Sequence, residues 1–298
     1  NGRLLREGPF ARVWVQPAAG DAGGAVGAAL LAWHHGRGAP RVAPTADAMG
    51  GALLGPEFGD DAIRRALDDA GLAYERGGAE AIAGRVAGLL AEGLVVGWFQ
   101  GRMEFGPRAL GSRSILADPR RPDVQRRVNE RIKFREGFRP FAPAVLAERA
   151  SEWFDLRCES PYMLLVAQVS HGKCVPLSAE DAARVGLDRL HAVRSMIPGV
   201  THVDGSARVQ TVGPDRSPAL DRLLRQFEAL TGCPVLLNTS FNLRDQPICC
   251  TPGDACRTFA ASGMDALAIG PFLVLRSAPP HEVVAEPPPP RGRSASAG

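Results

Sequence analysis

The residues best suited to chemistry are cations that recur on stiff backbone between residues 102 and 139. Six basic side chains alternate there with glycine, proline and phenylalanine: Arg102, Arg108, Arg113, Lys133, Arg135 and Arg139. Arg108 follows a proline, and Arg139 lies between a phenylalanine and a proline, so the backbone of both is restrained. Guanidinium groups on restrained backbone suit bidentate binding of phosphate. A run of charges can also be a solvated face, so the run alone leaves both interpretations open.

Lys133 and Arg135 are separated by a single residue, Phe134. On an extended backbone, residues i and i+2 project from the same face, so the spacing predicts that the two cations reach one ligand together. Like charges on one face repel each other unless an anion neutralises them. A triphosphate or an acyl phosphate would do so, although a single Lys-x-Arg also occurs by chance.

Four polar residues follow the apolar run that begins at Val235: Asn238, Thr239, Ser240 and Asn242. The run predicts a buried strand, and polar groups at the carboxyl end of a strand commonly face a ligand crevice. The same residue types also cap ordinary turns, which needs no ligand. A ligand site at the end of this strand is therefore one of two interpretations.

Two further candidates lie at the ends of predicted elements. Arg208 precedes the strand predicted at 209–212 and is a better functional candidate than His202, which has no Cys or Ser nucleophile at a recognisable spacing. Asp21 lies in a Gly-Asp-x-Gly loop before a helix, where it can ligate a metal or begin the helix. We expect His34 and His35 to compensate the dipole at the end of that helix.

The elements that must position these residues mix strands and helices without a strict βαβ rhythm, which predicts a mixed α/β (α+β) fold. Periodicity predicts strands at 11–15, 94–100, 163–169, 209–212, 235–238 and 266–269. It predicts helices at 25–33, 60–70, 79–91, 122–131, 218–230 and 252–262.

Composition limits the class of protein. The chain has 298 residues, 45% of them hydrophobic, and a net charge of +3, which is too small to imply a nucleic-acid or membrane partner. No apolar run reaches the roughly 20 residues of a membrane span. The six cysteines form no CxxC pair, so we expect reduced thiols and a cytoplasmic protein.

Taken together and in order, five motifs resemble the carbamoyltransferases of nodulation and antibiotic biosynthesis, over about residues 1 to 276. They are the segments at 17–21 and 106–111, Lys133-Phe134-Arg135 with 139–141, 202–205 with Arg208, and 237–242.

The resemblance implies a domain organisation. Residues 1–58 would be a remnant of an actin/Hsp70-like domain of the kind found in the universal tRNA threonylcarbamoyl transferase. Residues 59–278 would form a YrdC-like domain, with a mixed twisted sheet and flanking helices, and its signature would be Lys133 with Arg135 and Ser240 with Asn242. Residues 279–298 are rich in proline and serine and are expected to be disordered.

The resemblance also implies an activity, an ATP-dependent O-carbamoyltransferase. Carbamoyl phosphate and ATP would form carbamoyl adenylate, and the carbamoyl group would pass to a hydroxyl of a sugar or other natural product. The implied catalytic residues are Lys133, Arg135, Arg139, Arg208 and Ser240. The implied substrate- and nucleotide-binding residues are Arg108, Asn238, Thr239 and Asn242.

Mg²⁺ is expected with ATP. Asp21 matches the last metal ligand of the transfer domain, whose upstream histidines are absent from this sequence. Fe²⁺ or another divalent metal is therefore expected there only if the missing half is supplied, and the transfer half is expected to be incomplete.

Two alternatives stay open. One is a stand-alone carbamoyl or threonylcarbamoyl adenylate synthase, and the other is a non-catalytic RNA-binding module that uses the basic run. We expect small-molecule partners and neither a membrane nor a nucleic acid, and a homodimer is possible.

Overall fold

The computed structural model describes residues 1–11, 13–43 and 47–276, which contain nine strands and nine α-helices. The strands are Glu75–Arg76 (β1), Val96–Phe99 (β2), Arg113–Ala117 (β3), Ala142–Leu146 (β4), Leu165–Gln168 (β5), Ser206–Val212 (β6), Val235–Ser240 (β7), Ala266–Ile269 (β8) and Phe272–Leu275 (β9). The helices are Gly2–Glu7 (α1), Asp21–Leu31 (α2), Asp60–Asp69 (α3), Ala79–Ala91 (α4), Val124–Arg127 (α5), Ala150–Trp153 (α6), Ala179–Ala183 (α7), Pro218–Thr231 (α8) and Pro252–Ala260 (α9). The prediction of a mixed α/β fold is confirmed.

All nine strands belong to one sheet, in the order β1-β9-β8-β2-β3-β7-β4-β6-β5. The pairs β2–β8 and β4–β6 are parallel, and the other pairs are antiparallel. Every residue of β2, β3 and β4 is buried. Helix α4 packs against α8, and α3 packs against α9. The sheet is therefore a rigid platform for the loops that leave its central strands.

The register of β7, β4 and β6 determines which side chains share a face. Ala142 of β4 pairs with Asn238 of β7, and Ala144 pairs with Gln210 of β6. Paired residues, and alternate residues within a strand, project to the same side of a sheet. One face therefore carries Asn238, Ser240, Arg208 and Gln210.

The amino-terminal segment departs from the prediction. Of the strand predicted at 11–15, the structure describes Ala11 and residues 13–15, and these residues form no strand. Arg12 lies outside the described residues. An extended segment becomes a strand only when another strand pairs with it, and sequence alone does not supply a pairing partner. Helix α2 begins four residues earlier than predicted and continues into a π-helical turn at Ala32–Gly36. None of its residues is buried.

Four strands were not predicted: β1, β3, β4 and β9. β3 begins with Arg113 and Ser114, and β4 contains two alanines and a proline. Each strand has a single β-branched residue, Ile115 or Val145, and no aromatic residue, so the residue types that mark strands are sparse in both. The helices α3, α4, α8 and α9 match their predictions to within two residues.

No helix among the described residues is long and apolar enough to cross a membrane. The tail predicted at 279–298 lies outside the described residues, and the boundary predicted between residues 58 and 59 stays a prediction.

Candidate functional site

The ammonium group of Lys133 lies at the centre of a buried polar cluster. Only 3% of this residue is exposed. Four acceptors lie within hydrogen-bond distance of its Nζ and share its three N–H groups: Asn242 Oδ1 (2.7 Å), Asn242 O (3.0 Å), Ser240 Oγ (3.2 Å) and Ser240 O. Ser240 Oγ in turn donates to Asn242 Oδ1 at 2.6 Å. Residues more than 100 positions apart in the chain are thus in direct contact.

The backbone at Lys133 is a turn, so the prediction of an extended segment there is wrong. Lys133 follows the π-helical residues Val128–Ile132 and has helical dihedral angles, and Phe134 has a positive φ of 48°. Arg135 Nε donates to Asn129 Oδ1 at 2.7 Å, and its guanidinium lies 4.9 Å from the centre of the Phe141 ring. The turn and these contacts, and not strand alternation, direct both cations to one cavity.

This cavity has a volume of about 210 Å³ and is lined by Lys133, Arg135, Glu136, Arg139, Ser240, Asn242, Leu243, Arg244 and Asp245. Arg139 is exposed and forms an ion pair with Glu136 at 3.0 Å. Glu136, Arg244 and Asp245 were not predicted from the sequence. These residues follow Lys133-Phe134-Arg135 or Asn242 closely in the sequence. That position could have indicated a place in the site, because a turn brings neighbouring residues to the same cavity. We call this cavity the lysine cavity.

Burial and neighbouring charge shift the titration of both cations in the lysine cavity. Burial, followed by the charge of Arg135, lowers the pKa of Lys133 to about 7, and Cys249 opposes the change. Burial and then Arg139 lower the pKa of Arg135. A bound anion would favour the charged form of both groups. The electrostatics of the lysine cavity therefore suit a phosphate.

Arg108, which is exposed, and Arg208 are two further cations outside the lining of the lysine cavity. Arg208 is half-buried on β6, and its pKa is lowered to about 10 by burial and then by Arg108. No acidic group of the described residues is among the causes of this shift. His202, nearby in sequence, contacts Ser206 Oγ at 3.1 Å, and burial lowers its pKa. These contacts are those of a structural histidine.

Glu104, which the sequence analysis did not single out, organises the loop between β2 and β3. It is buried, and its Oε1 accepts hydrogen bonds from the backbone N–H groups of Leu110 (2.7 Å), Ser112 (2.7 Å) and Arg113 (3.2 Å). A glutamate in a glycine-rich loop carries no sequence signal for such a role, because three backbone donors converge on it only after folding.

Two cations of the basic run, Arg113 and Arg102, form hydrogen bonds within the protein. Arg113 is fully buried, donates to the carbonyl oxygens of Gln100 and Gly101 at 3.1 Å, and stacks 3.5 Å above the Phe99 ring centre. Burial lowers its pKa to about 10, and Glu104 opposes the shift. Arg102 donates to the carbonyl oxygens of residues 53 and 54. The basic run is therefore not one continuous surface.

Asn238 and Thr239 are not part of the lysine cavity. Asn238 is 1% exposed, and its Nδ2 donates to Gln210 Oε1 (2.7 Å) and Ala109 O (3.2 Å). Thr239 alternates with Asn238 and Ser240 along β7, so its side chain projects to the opposite face. The structure brings together Lys133, Arg135, Arg139, Ser240 and Asn242, and it separates Thr239 from them.

Asp21 begins helix α2 and is exposed. Across the ranges 1–11, 13–43 and 47–276, no group of three or more His, Cys, Asp or Glu residues could hold a metal ion. His34 Nδ1 contacts the carbonyl oxygen of Ala39 at 2.9 Å, near the end of the helical segment. Asp21 thus has no companion ligands within the described part of the chain.

Comparison with known proteins defines the class to which this site belongs. A family model described as the carbamoyltransferase C-terminus matches residues 87–276, which contain the lysine cavity, and one described as the carbamoyltransferase N-terminus matches residues 1–30. The chain belongs to the carbamoyltransferase family. The predicted resemblance is confirmed.

Individual relatives agree with this family. The chain is 52% identical to the uncharacterized protein sll1178 of Synechocystis sp., over 94% of this chain and 46% of the relative. It is 42% identical to the nodulation protein NolNO of Sinorhizobium fredii, over 95% and 39%. It is 35% identical to the 3'-hydroxymethylcephem-O-carbamoyltransferase of Amycolatopsis lactamdurans, over 83% and 40%. The chain thus spans less than half the length of these relatives.

Among solved structures, full-length HypF in the phosphate- and nucleotide-bound form matches with a TM-score of 0.41 at 14% identity, over 66% of this chain and 22% of that one.

Proposed function

We propose that this chain forms carbamoyl adenylate from carbamoyl phosphate and ATP, as part of an O-carbamoyltransferase that passes the carbamoyl group to a hydroxyl of a sugar or other natural product. The observation that carries the proposal is the direct contact of Lys133 with Ser240 and Asn242, in a cavity that Arg135 also lines. Family membership supports it, as does the similarity to a relative named as an O-carbamoyltransferase.

In the proposed reaction, water splits carbamoyl phosphate into carbamate and phosphate. A carbamate oxygen then attacks the α-phosphorus of ATP, the new O–P bond forms, and the bond to pyrophosphate breaks with its electron pair leaving on pyrophosphate. Such displacement needs cations that offset negative charge more than it needs covalent help. Lys133, Arg135 and Arg139 would supply that charge.

The remaining residues would orient the reactants. We assign Ser240 and Asn242 to the carbamate oxygen or the α-phosphate, and Arg108 and Arg208 to the other phosphates. Mg²⁺ would accompany the nucleotide. Asp21 would be one ligand of a divalent metal that serves the transfer step, and the described residues contain no group of three or more His, Cys, Asp or Glu residues that could complete such a site.

The test is carbamoyl-phosphate-dependent exchange of labelled pyrophosphate into ATP. We expect exchange by the unmodified chain and a loss of about 100-fold or more in Lys133→Ala and Arg208→Ala, because each removes a cation that we assign to the phosphates of the reactants. Arg64→Ala is the control, since this arginine is exposed on α3 and forms an ion pair with its exposed helix neighbour Asp61. Lack of exchange by the unmodified chain would contradict the proposal.

The same assay separates the alternatives. Exchange that requires bicarbonate and threonine in place of carbamoyl phosphate would indicate a threonylcarbamoyl adenylate synthase. Salt-sensitive RNA binding that survives Lys133→Ala combined with Ser240→Ala, without any exchange, would indicate an RNA-binding module.

A further inference from the structure

Two buried amide side chains attach the loop that carries Arg108 to the sheet. Gln210 is 2% exposed, and its Nε2 donates to Leu110 O at 2.7 Å. Asn238 donates to Ala109 O at 3.2 Å and to Gln210 Oε1 at 2.7 Å. The amides thus form a chain from β7 through β6 to two consecutive carbonyl groups of the loop.

These contacts determine the position of Arg108 relative to Arg208. Arg208 and Gln210 are alternate residues of β6 and share a face, while Arg108 lies two residues before Leu110 in the loop. The hydrogen bond from Gln210 holds Leu110 over the face of β6 that also carries Arg208, so the same loop places Arg108 on the side of the sheet where Arg208 lies.

Two guanidinium groups repel each other, so their proximity needs a cause. Burial, and then the charge of Arg108, lowers the pKa of Arg208 to about 10. The hydrogen bonds of the two amides, together with those that Glu104 accepts from the same loop, hold the arrangement in the absence of an anion. A site assembled in advance loses less free energy when the ligand binds.

We propose that Gln210 and Asn238 are positioning residues that hold Arg108 against Arg208, so that the two guanidinium groups bind one phosphate-type anion. The proposal rests on the proposed function and replaces a direct substrate contact by Asn238. Both contacts of the Asn238 amide nitrogen are made to groups within the protein.

The experiment is a double-mutant cycle on the binding of inorganic pyrophosphate, measured by isothermal titration calorimetry. Arg108→Ala should weaken binding about tenfold or more, because it removes a charge-assisted hydrogen bond. Gln210→Met should weaken binding about fivefold or more although it leaves both arginines in place. The double variant should bind within about twofold of Arg108→Ala alone, because Gln210 acts only through Arg108.

Ser262→Ala is the matched control. Ser262 is a buried polar residue at the end of α9 whose hydroxyl donates to Phe259 O, so its loss should change stability without changing pyrophosphate affinity. If Gln210→Met does not unfold as a single cooperative transition, Asn238→Leu takes its place in the cycle.

Additive losses in the double variant would overturn the positioning role, as would unchanged binding in Gln210→Met. An unmodified chain that does not bind pyrophosphate would overturn it too. The variants could show coupled losses of pyrophosphate affinity while the unmodified chain shows no carbamoyl-phosphate-dependent exchange. That result would support the positioning role and reject the proposed function, so the two failures are distinguishable.

Discussion

Lys133 is a buried ammonium group whose charge depends on pH near neutrality. Burial, then Arg135, lowers its pKa to about 7. Its folded-state pKa therefore lies below the ordinary value of 10.5, and the unfolded chain binds more protons between about pH 7 and 10.5. This residue thus contributes to a free energy of unfolding that rises with pH across that window.

The same titration predicts how anion binding changes with pH. Only the ammonium form attracts an anion, so the contribution of Lys133 to pyrophosphate binding should fall as pH rises through about 7. In Lys133→Arg this loss should be absent, because arginine stays charged. Calorimetric titrations from pH 6 to 9 measure the effect. Pyrophosphate titrates identically in both experiments, so equal pH profiles for the two proteins would contradict the prediction.

The buried guanidinium of Arg113 is predicted to be a requirement for stability. Arg113→Met removes a buried positive charge and leaves the carboxylate of Glu104 buried without it. This change should lower the free energy of unfolding by about 3 kcal/mol. Denaturant unfolding measures the change. Arg64→Ala, an exposed change, should stay within about 0.5 kcal/mol of the unmodified chain. An equal effect of both substitutions would contradict this role.

Motifs in the sequence identified the residues of the site that carry charge or bind it. They did not identify the residues that hold these side chains and their loop in place. Lys133, Ser240 and Asn242 belong to recognisable motifs, and the structure joins them. Glu104 and Gln210 have no such signal, since their partners are backbone groups brought near only by the fold. The direction of Lys133 and Arg135 was also inferred from the wrong backbone conformation, because the positive φ of Phe134 is unusual for a bulky residue.

At the scale of elements, the glycine loop between β2 and β3 depends on Gly111. Its φ is 109°, which non-glycine residues rarely adopt, and a Cβ there would lie 2.5 Å from Leu220 Cδ2. Gly111→Ala should lower the free energy of unfolding by about 2 kcal/mol or more, from backbone strain and overpacking. Thermal unfolding measures this loss.

Gly88 provides the matched control for that change. It lies inside helix α4, and a Cβ there would meet nothing within 4 Å. Gly88→Ala should raise the free energy of unfolding by about 0.5 to 1 kcal/mol, because alanine favours the helix. Destabilisation of similar size by both substitutions would contradict a specific need for glycine at position 111.

Helices were predictable from sequence where periodicity and end signals agreed. Helix α9 begins with a capping box between Thr251 and Asp254 and has proline in its first turn, and α8 ends at Gly232 with a left-handed backbone. Strands β3 and β4 were not predictable, because central position in the sheet, and not composition, makes them strands. Local sequence carries propensity, whereas pairing is decided by distant residues.

At the scale of the whole molecule, hydrogen bonds between segment 52–56 and the glycine loop limit where a shortened chain could begin. Segment 52–56 pairs with the glycine loop through Phe105 N to Ala52 O (2.6 Å), Gly55 N to Met103 O (2.9 Å) and Met103 N to Pro56 O (2.9 Å). A cut between residues 58 and 59, the predicted domain boundary, would remove these partners from the loop that carries Arg108.

A chain of residues 59–276 should therefore melt at least about 5 °C below a chain of residues 48–276, because the loop loses three backbone hydrogen bonds. It should also bind pyrophosphate more weakly. Calorimetry measures both quantities. Equal melting temperatures and affinities would show that segment 52–56 does not support the loop.

Among the strands of the described residues, the last two in chain order, β8 and β9, lie in the sheet between the first two, β1 and β2. Strand β2 pairs in parallel with β8, about 170 residues later in the chain, and β7 must insert between β3 and β4. A nascent chain on the ribosome consequently cannot complete the sheet until Leu275 has emerged. Until then the strand edges that β7, β8 and β9 will cover stay exposed, which is the condition under which nascent chains aggregate and chaperones act.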